Sequence, residues 1–461
     1  MTFSTLTAIS GLLLTTQALA ADRIPYKEIV LDNKLSVITM ESHKVPLVTI
    51  VLASRAGGIT ETPATNGLTH LWEHMFFKGN SRLPNQEAFN QRVRELGIVF
   101  NGDTSAEKVR YYFTLPSVFL DDGLQFMADA ISTPLLEQTE LEKERQVVLD
   151  EYDRNASQPG FDLYRLKSRI LYGDQYYQRD ALGERPIIAA ATRQQLLTIK
   201  DEVFVPANSA ILVAGDFDPA TITARIKKYF AGWKNPPGWQ PPKRPPLPAH
   251  PGNKEIIMTS ERARTPGVTI SWEGPRARRD PADTYAADVL ISLLNLRTGR
   301  FYKKYMDSGL ALGASLGYHT QAGAGQVVIH GSGKAENIRR IMQMLENEPK
   351  ELLKKDYFTA DQLEDVHRSL LVGYKFDVNK PSEYVKTLAF WWAITGLDYY
   401  RNYLENLRKT GLPEVRAFVK KYLVGKPRIK SWFLSPEAAK IAGLKDNSAE
   451  LIAKHMPEKK K

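Results

Sequence analysis

The sequence predicts an α+β protein made of two similar α/β modules, each an antiparallel-rich sheet packed with helices, with the second module an internal repeat of the first. Three observations carry this expectation. A proline-dense stretch, NPPGWQPPKRPPLPAHPG from Asn235 to Gly252, forbids regular helix, favours a stiff extended connector and divides the chain into two parts of similar length. Each part opens with strand-like apolar runs and continues into helical periodicity. Finally, RVRELGIVFNGDTSAEKVRYYFTLP from Arg92 is echoed by KYMDSGLALGASLGYHTQAGAGQVVIHGS from Lys304; in both, a helix ends at a glycine, Gly97 or Gly309, before strand-like segments. The expected organisation is a leader over 1–20, a first module over 22–234, the connector over 235–252, a second module over 253–450 and a basic tail over 451–461.

The 461 residues, 43% hydrophobic and 25% charged, form a globular composition too long for one ordinary core. There is no cysteine, which excludes a disulfide framework, thiolate metal ligands and a thiol nucleophile. A bound metal must therefore use His, Asp or Glu. The net charge of +10 is concentrated partly in KHMPEKKK at the C-terminal end, and no basic motif with interleaved aromatics accompanies it. A nucleic-acid partner is not expected.

Taken in order, MTFSTLTAISGLLLTTQALA has no ionisable side chain, an apolar centre and an Ala18-Leu19-Ala20 end, which reads as a secretory leader, with an uncleaved N-terminal anchor as the alternative. Its apolar run is shorter than the ~20 residues that span a bilayer, and no later segment is long and apolar enough for a stable membrane span. An exported protein is expected, periplasmic in a Gram-negative source. Alternating runs from Tyr26 and Leu35 predict a hairpin around Asp32-Asn33, and Leu47-Val-Thr-Ile-Val-Leu-Ala predicts a strand. Helices follow at Leu68 to Phe77 and Asn85 to Leu96. In the second part, a strand from Gly267 precedes a helix from about Pro281 to Leu294.

The run HLWEHMFFKG, starting at His70, holds two histidines and a glutamate among apolar residues. On a helix His70 and His74 stand at i and i+4, with Glu73 beside the second, so the three share a side. Leu71, Trp72, Met75, Phe76 and Phe77 fill the other directions, which marks a buried helix. Polar groups buried without partners cost about 2–7 kcal/mol each, and a metal ion offsets that cost. The alternative is a pair of core histidines satisfied by backbone carbonyls. Catalytic zinc takes three protein ligands, so a third is sought. In ELEKERQVVLDEYDRN, from Glu140, the residues Leu141, Glu144, Val147, Val148 and Glu151 fall on one helical stripe, which turns two carboxylates inward. Solvated surface glutamates are the competing reading.

NGLTHLWEHMFFKG, from Asn66, resembles the inverted zinc motif H-x-x-E-H of the pitrilysin and insulinase metallopeptidases. The third ligand in that family is a glutamate about 75 to 80 residues downstream, closing a stretch like E-R-x-V-V-x-x-E. Glu144-Arg-Gln-Val-Val-Leu-Asp-Glu151 matches it, with Glu151 at 151 − 74 = 77 residues after His74. The resemblance implies one zinc ion per chain on His70, His74 and Glu151, with Glu144 orienting a ligand and Glu73 as general base for peptide-bond hydrolysis. Phe100-Asn101-Gly102-Asp103-Thr104 resembles the family's N-A-x-T edge segment, where substrate adds as a β-strand; Gly102 replaces the usual alanine. PANSAILVAGDFDP, from Pro206, is similar to a strand late in the family's first domain.

Active relatives carry an arginine several residues before a tyrosine in the second half. Tyr318 is the nearest match, but no arginine lies between Gly309 and Tyr318. The resemblance thus implies half of a clam-shell chamber, completed in a dimer, with a heterodimeric partner supplying the arginine and tyrosine a specific form of it. The expected function is a zinc endopeptidase acting on peptides or unfolded segments. A non-catalytic assembly subunit and a metal-dependent peptide-binding protein are the alternatives.

Overall fold

A computed structural model describes residues 26–175, 180–244 and 246–456. The leader expected over 1–20 lies outside the described residues, as do the last five residues of the expected tail. The first sheet comprises β1 (Tyr26–Val30), β2 (Ser36–Glu41), β3 (Leu47–Ser54), β4 (Val99–Thr104), β5 (Val109–Pro116) and β6 (Ser209–Gly215), in the order β1-β2-β6-β3-β5-β4. The second comprises β7 (Lys254–Thr259), β8 (Gly267–Glu273), β9 (Gly313–His319), β10 (Gln326–Ser332) and β11 (Arg428–Leu434), in the order β7-β11-β8-β10-β9.

Setting β1 aside, the two orders are identical in rank. In each, the first strand of the module pairs in parallel with the last, β2 with β6 and β7 with β11, and the other pairings are antiparallel. This is the repeat that the echo after Arg92 and Lys304 predicts. The expected hairpin is present, with Tyr26 opposite Met40 and Val30 opposite Ser36. Helices Leu68–Phe76, Gln86–Leu96 and Pro281–Leu294 fall where the periodicity places them. Gly97 closes its helix at φ 61° and Gly309 has φ 70°, the left-handed region in which a Cβ is strained.

Chain halves and packing units do not coincide. Central strands of the first sheet are apolar on both faces, and Val48 to Ala53 are buried throughout. One face is covered by a helix from the second half, Pro381–Ile394, whose Tyr384, Val385, Leu388 and Trp392 join Ile38, Met40, Val51 and Leu212 in one cluster. The reciprocal contact is made by Phe161–Tyr172 of the first half, whose Leu166 and Ile170 pack with Ile256, Met258 and Ile429 of the second sheet. Each half therefore completes the other's sheet.

Between residues 235 and 252 the described chain has no helix or strand. It is anchored rather than loose at its start, where the Asn235 side chain accepts from the Ala207 amide and donates to the Asn33 carbonyl. Near the C-terminus, residues 451–455, expected in a basic tail, belong to the helix Ser448–His455. Leu451 and Ile452 lie on an apolar stripe that packs against the Phe161–Tyr172 helix and β7, so burial outweighs the lysines that marked this stretch as solvated.

Candidate metal centre

The Leu68–Phe76 helix is fixed before it carries any chemistry. Leu71, Trp72, Met75 and Phe76 are fully buried. Trp72 stacks on Phe204 at 4.0 Å and Phe76 on Tyr111 at 3.8 Å. At the N-terminal end, buried Glu61 takes the place of a capping side chain. Its Oε2 accepts from the Gly67 amide (2.9 Å) and Asn66 Nδ2 (2.8 Å), and its Oε1 accepts from the Thr69 amide (2.8 Å) and the Thr69 hydroxyl. A carboxylate there satisfies orphan amides and complements the positive end of the helix dipole. Gly67 sits at φ 99°, and a Cβ on it would lie 2.9 Å from the Gly183 Cα, so this close crossing requires glycine.

The helix presents His70 and His74 to the Gln138–Ala156 helix. His70 Nε2 lies 3.8 Å and His74 Nε2 3.7 Å from Glu151 Oε2, and the three donor atoms all lie within 4.8 Å of one another. Zinc bonds of about 2.0–2.2 Å in a tetrahedron hold their ligand atoms roughly 3.3–3.6 Å apart, so the spacing is close to that of a zinc site. Among the described residues this is the one such group of three. The charge states fit as well. Burial, followed by the neighbouring His74, brings His70 down to about 4, which leaves its imidazole neutral with a lone pair at physiological pH. The Glu151 side chain is 33% exposed, so the centre opens toward solvent.

Behind His74 runs a short relay. Its Nδ1 faces Glu144 Oε2 at 3.1 Å, and Glu144 Oε1 accepts from Lys78 Nζ at 2.6 Å. Burial pushes the Glu144 carboxyl up, but the hydrogen bonds from His74 and Lys78 outweigh it and hold it below the usual carboxylate range. An anion at this position fixes Nδ1 as the protonated nitrogen and leaves Nε2 free toward Glu151. His70 Nδ1, by contrast, is buried without a hydrogen-bond partner.

Glu73 is buried between the helix and β4. Thr104 Oγ1 donates to its Oε2 at 2.6 Å. Burial is the chief reason its carboxyl rises to about 7, with the Thr104 hydrogen bond and His74 acting the other way. The β4 backbone comes so close that a Cβ on Gly102 would lie 2.5 Å from Glu73 Oε1. Asp103, next along, is clamped by Lys108 and by Arg110 Nε at 2.6 Å. Asn101 turns its side-chain oxygen onto the Gly102 amide at 2.9 Å. Glu73, Asn101, Gly102, Asp103 and Thr104 line a cleft of about 570 Å³, together with Phe77 and Phe100.

The structure thus brings together His70, Glu73, His74, Glu144, Glu151, Asn101 and Gly102. Tyr318 does not line the cleft; its hydroxyl donates to the Pro275 carbonyl at 2.9 Å. Val147, read onto the inward stripe of the second helix, is 46% exposed, whereas Leu141, Glu144 and Val148 on that stripe are buried. At 100° per residue Val147 stands at the margin of the stripe, and the contact with the first helix is narrower than the stripe. The sequence places Thr104 in the edge segment but gives it no role at Glu73, and it does not single out Lys78 or Glu61. Lys78 follows His74 at i+4, a spacing that could have suggested it, but nothing local ties Thr104 to Glu73 or Glu61 to the helix start.

Comparison with known proteins gives two family matches: "Insulinase (Peptidase family M16)" over residues 36–178 and "Peptidase M16 inactive domain" over residues 190–370. A Rickettsia felis protein described as an uncharacterized zinc protease is 30% identical over 205 residues, covering 44% of this chain and 49% of that protein. The chain thus matches about half the length of that relative. The Bacillus subtilis zinc protease YmxG, also described as uncharacterized, is 23% identical over 336 residues, 72% of this chain and 80% of its own. Among solved structures, a Helicobacter pylori protease superimposes with a TM-score of 0.79 at 20% identity, covering 89% of this chain and 99% of the other. The first half of the Escherichia coli periplasmic protease PqqL does so with a TM-score of 0.75 at 17% identity, covering 95% and 97%.

Proposed function

Since the chain belongs to the insulinase (M16) peptidase family, we propose that it is a zinc-dependent endopeptidase that hydrolyses peptides or unfolded segments. The observation that carries this reading is the convergence of His70, His74 and Glu151 on one point with Glu73 beside them. In it, His70, His74 and Glu151 hold the ion. Zinc supplies a Lewis acid and lowers the pKa of a water from 15.7 to about 7.

The remaining work falls to the chain. Glu144, anchored by Lys78, keeps the His74 ring in one tautomer and orientation. The Glu73 carboxylate takes a proton from the attacking water and gives it to the leaving amine, a task suited to a carboxyl near neutrality. Thr104 holds Glu73 against the edge strand meanwhile. Among the described residues that strand, β4, pairs with β5 alone, which leaves its other side to bind an extended peptide by backbone hydrogen bonds along Asn101 and Gly102. Backbone pairing tolerates varied sequences, in keeping with a broad peptide substrate.

The active assembly in this reading is a dimer, with this chain as half of a closed chamber and a related partner chain supplying the arginine and tyrosine. Export to a periplasm-like compartment completes the reading; among the described residues no helix is long and apolar enough to cross a membrane.

A quenched-fluorescence peptide assay with chelator treatment and zinc add-back tests the proposal. Cleavage lost on chelation and regained with zinc supports it. Bound zinc without cleavage of any peptide, alone or with a partner chain, favours a peptide-binding or assembly role.

A further inference from the structure

A second cleft, of about 930 Å³, opens where the two halves meet, well within the size of small-ligand sites. Arg55 and Arg278 line it together. Arg55 follows β3 and Arg278 follows β8, strands of equal rank in the two sheets, so the repeat places one guanidinium from each half at this seam.

Both are held in place by the end of the Pro381–Ile394 helix. Arg55 Nη2 donates to the Trp392 carbonyl at 3.3 Å, and its guanidinium lies 4.2 Å over the Trp392 ring. Arg278 Nε donates to the Ile394 carbonyl at 2.6 Å and Nη2 to the Ala393 carbonyl at 3.0 Å. Capping a helix C-terminus explains these contacts but not the charge balance, because that terminus offers only about −0.5 of a charge against two cations.

Two carboxylates act on the cluster, Glu28 on Arg55 and Glu107 on Arg244, but Glu28 is shared with Arg401 at 3.9 Å and Glu107 accepts from the Ala322 amide at 2.7 Å. Among the described residues neither arginine forms an ion pair, and the Arg55 Nε is buried without an acceptor. The acids of the cleft wall are engaged elsewhere, Asp398 with Arg401 and Glu414 with the Gly411 amide, and Lys409 is paired with Glu405. Burial, followed by the charges of Arg278 and Arg244, pulls Arg55 down to about 10, and the opposing charge of Glu28 does not offset them. Across the cleft, Tyr285 and Tyr399 stack at 5.1 Å and give a flat apolar wall.

We propose that this cleft binds a small oxyanion, a carboxylate or a phosphate, between the guanidiniums of Arg55 and Arg278. Planar guanidinium donors, already fixed by carbonyls and a stacked ring, match such anions with little further ordering. The proposal is independent of the peptidase reading.

Calorimetric titration of the zinc-loaded full chain with inorganic phosphate, benzoate and benzamide tests it. Saturable binding of phosphate, benzoate or both at a single site is expected, with benzamide inert. The preference between the two anions identifies the source of the ligand. Arg278 is exposed, so Arg278→Gln should fold normally and weaken binding about tenfold or more, as should Arg55→Gln. Saturation by neither anion up to about 10 mM, equal binding of benzamide, or unchanged affinity in Arg278→Gln would each overturn the site.

Discussion

The two halves share a strand order but use the helix after their second-ranked strand in opposite ways. In the first half that helix, Leu68–Phe76, turns His70 and His74 toward Glu151 on a second helix, and the three donor atoms converge without bonding one another. In the second half the corresponding helix, Pro281–Leu294, also carries polar side chains inward, but each has a partner. Asp288 accepts from the Tyr403 hydroxyl at 2.7 Å, Thr284 meets the Tyr399 hydroxyl at 2.6 Å, and Tyr285 accepts from Asn406 at 3.1 Å. One scaffold thus holds an open ligand set in one copy and a closed hydrogen-bond network in the other. The fold supplies positions, and the side chains decide whether chemistry follows.

The sharpest way to break this contrast is Glu73→Gln. It should lower kcat by about 10²–10⁴ while zinc content, read by elemental analysis, stays at one ion per chain. Normal turnover in that variant would remove the base assigned to the first half. Next in size are the reciprocal helices. Leu388→Ala and Leu166→Ala each empty a fully buried site on the other half's sheet and should cost about 2–5 kcal/mol in urea unfolding. If the halves unfolded in separate transitions, with each substitution shifting only its own half, the mutual completion of the sheets would be refuted.

A smaller effect is expected at the relay behind His74. Glu144→Gln should weaken zinc binding about 10–100-fold, measured by competition with a chelating dye, and leave the fold intact. An unaltered affinity would mean that Glu144 and Lys78 merely pack beside the site. The smallest effect concerns the closed network. Burial raises Asp288 from 3.8 to about 6, against the Tyr403 hydrogen bond, so the folded state holds its proton more tightly than the unfolded chain. That stabilising contribution is complete below about pH 4 and is lost as pH rises toward 6. Asp288→Asn should flatten this part of the stability profile without changing zinc affinity, and a profile identical to the parent would contradict it.

Much of the site was legible because its key spacing is local. His70, Glu73 and His74 lie within one helical turn or so, and helix geometry alone puts them on one side. Glu151 was reached differently, from a carboxylate on an apolar stripe together with a resemblance to known metallopeptidases. That stripe also drew in Val147, which is exposed, because periodicity gives the direction of a face but not its width. The hydrogen bond of Thr104 to Glu73 and the capping role of Glu61 were not legible. Each acts through a hydrogen bond to a residue that is near only after β4 and the loop before the helix have docked.

The sequence by itself determined the two repeated modules, the helix with its paired imidazoles and the absence of thiolate chemistry, since these follow from residue type and short-range period. Only the tertiary structure decided that Lys78 anchors Glu144, that Thr104 holds Glu73, that each half's helix seals the other's sheet, and that two arginines from separate halves face one cleft. Those are contacts between residues tens to hundreds of positions apart. Their pairing is set by which apolar surfaces fit together when the chain closes, and no local pattern encodes it.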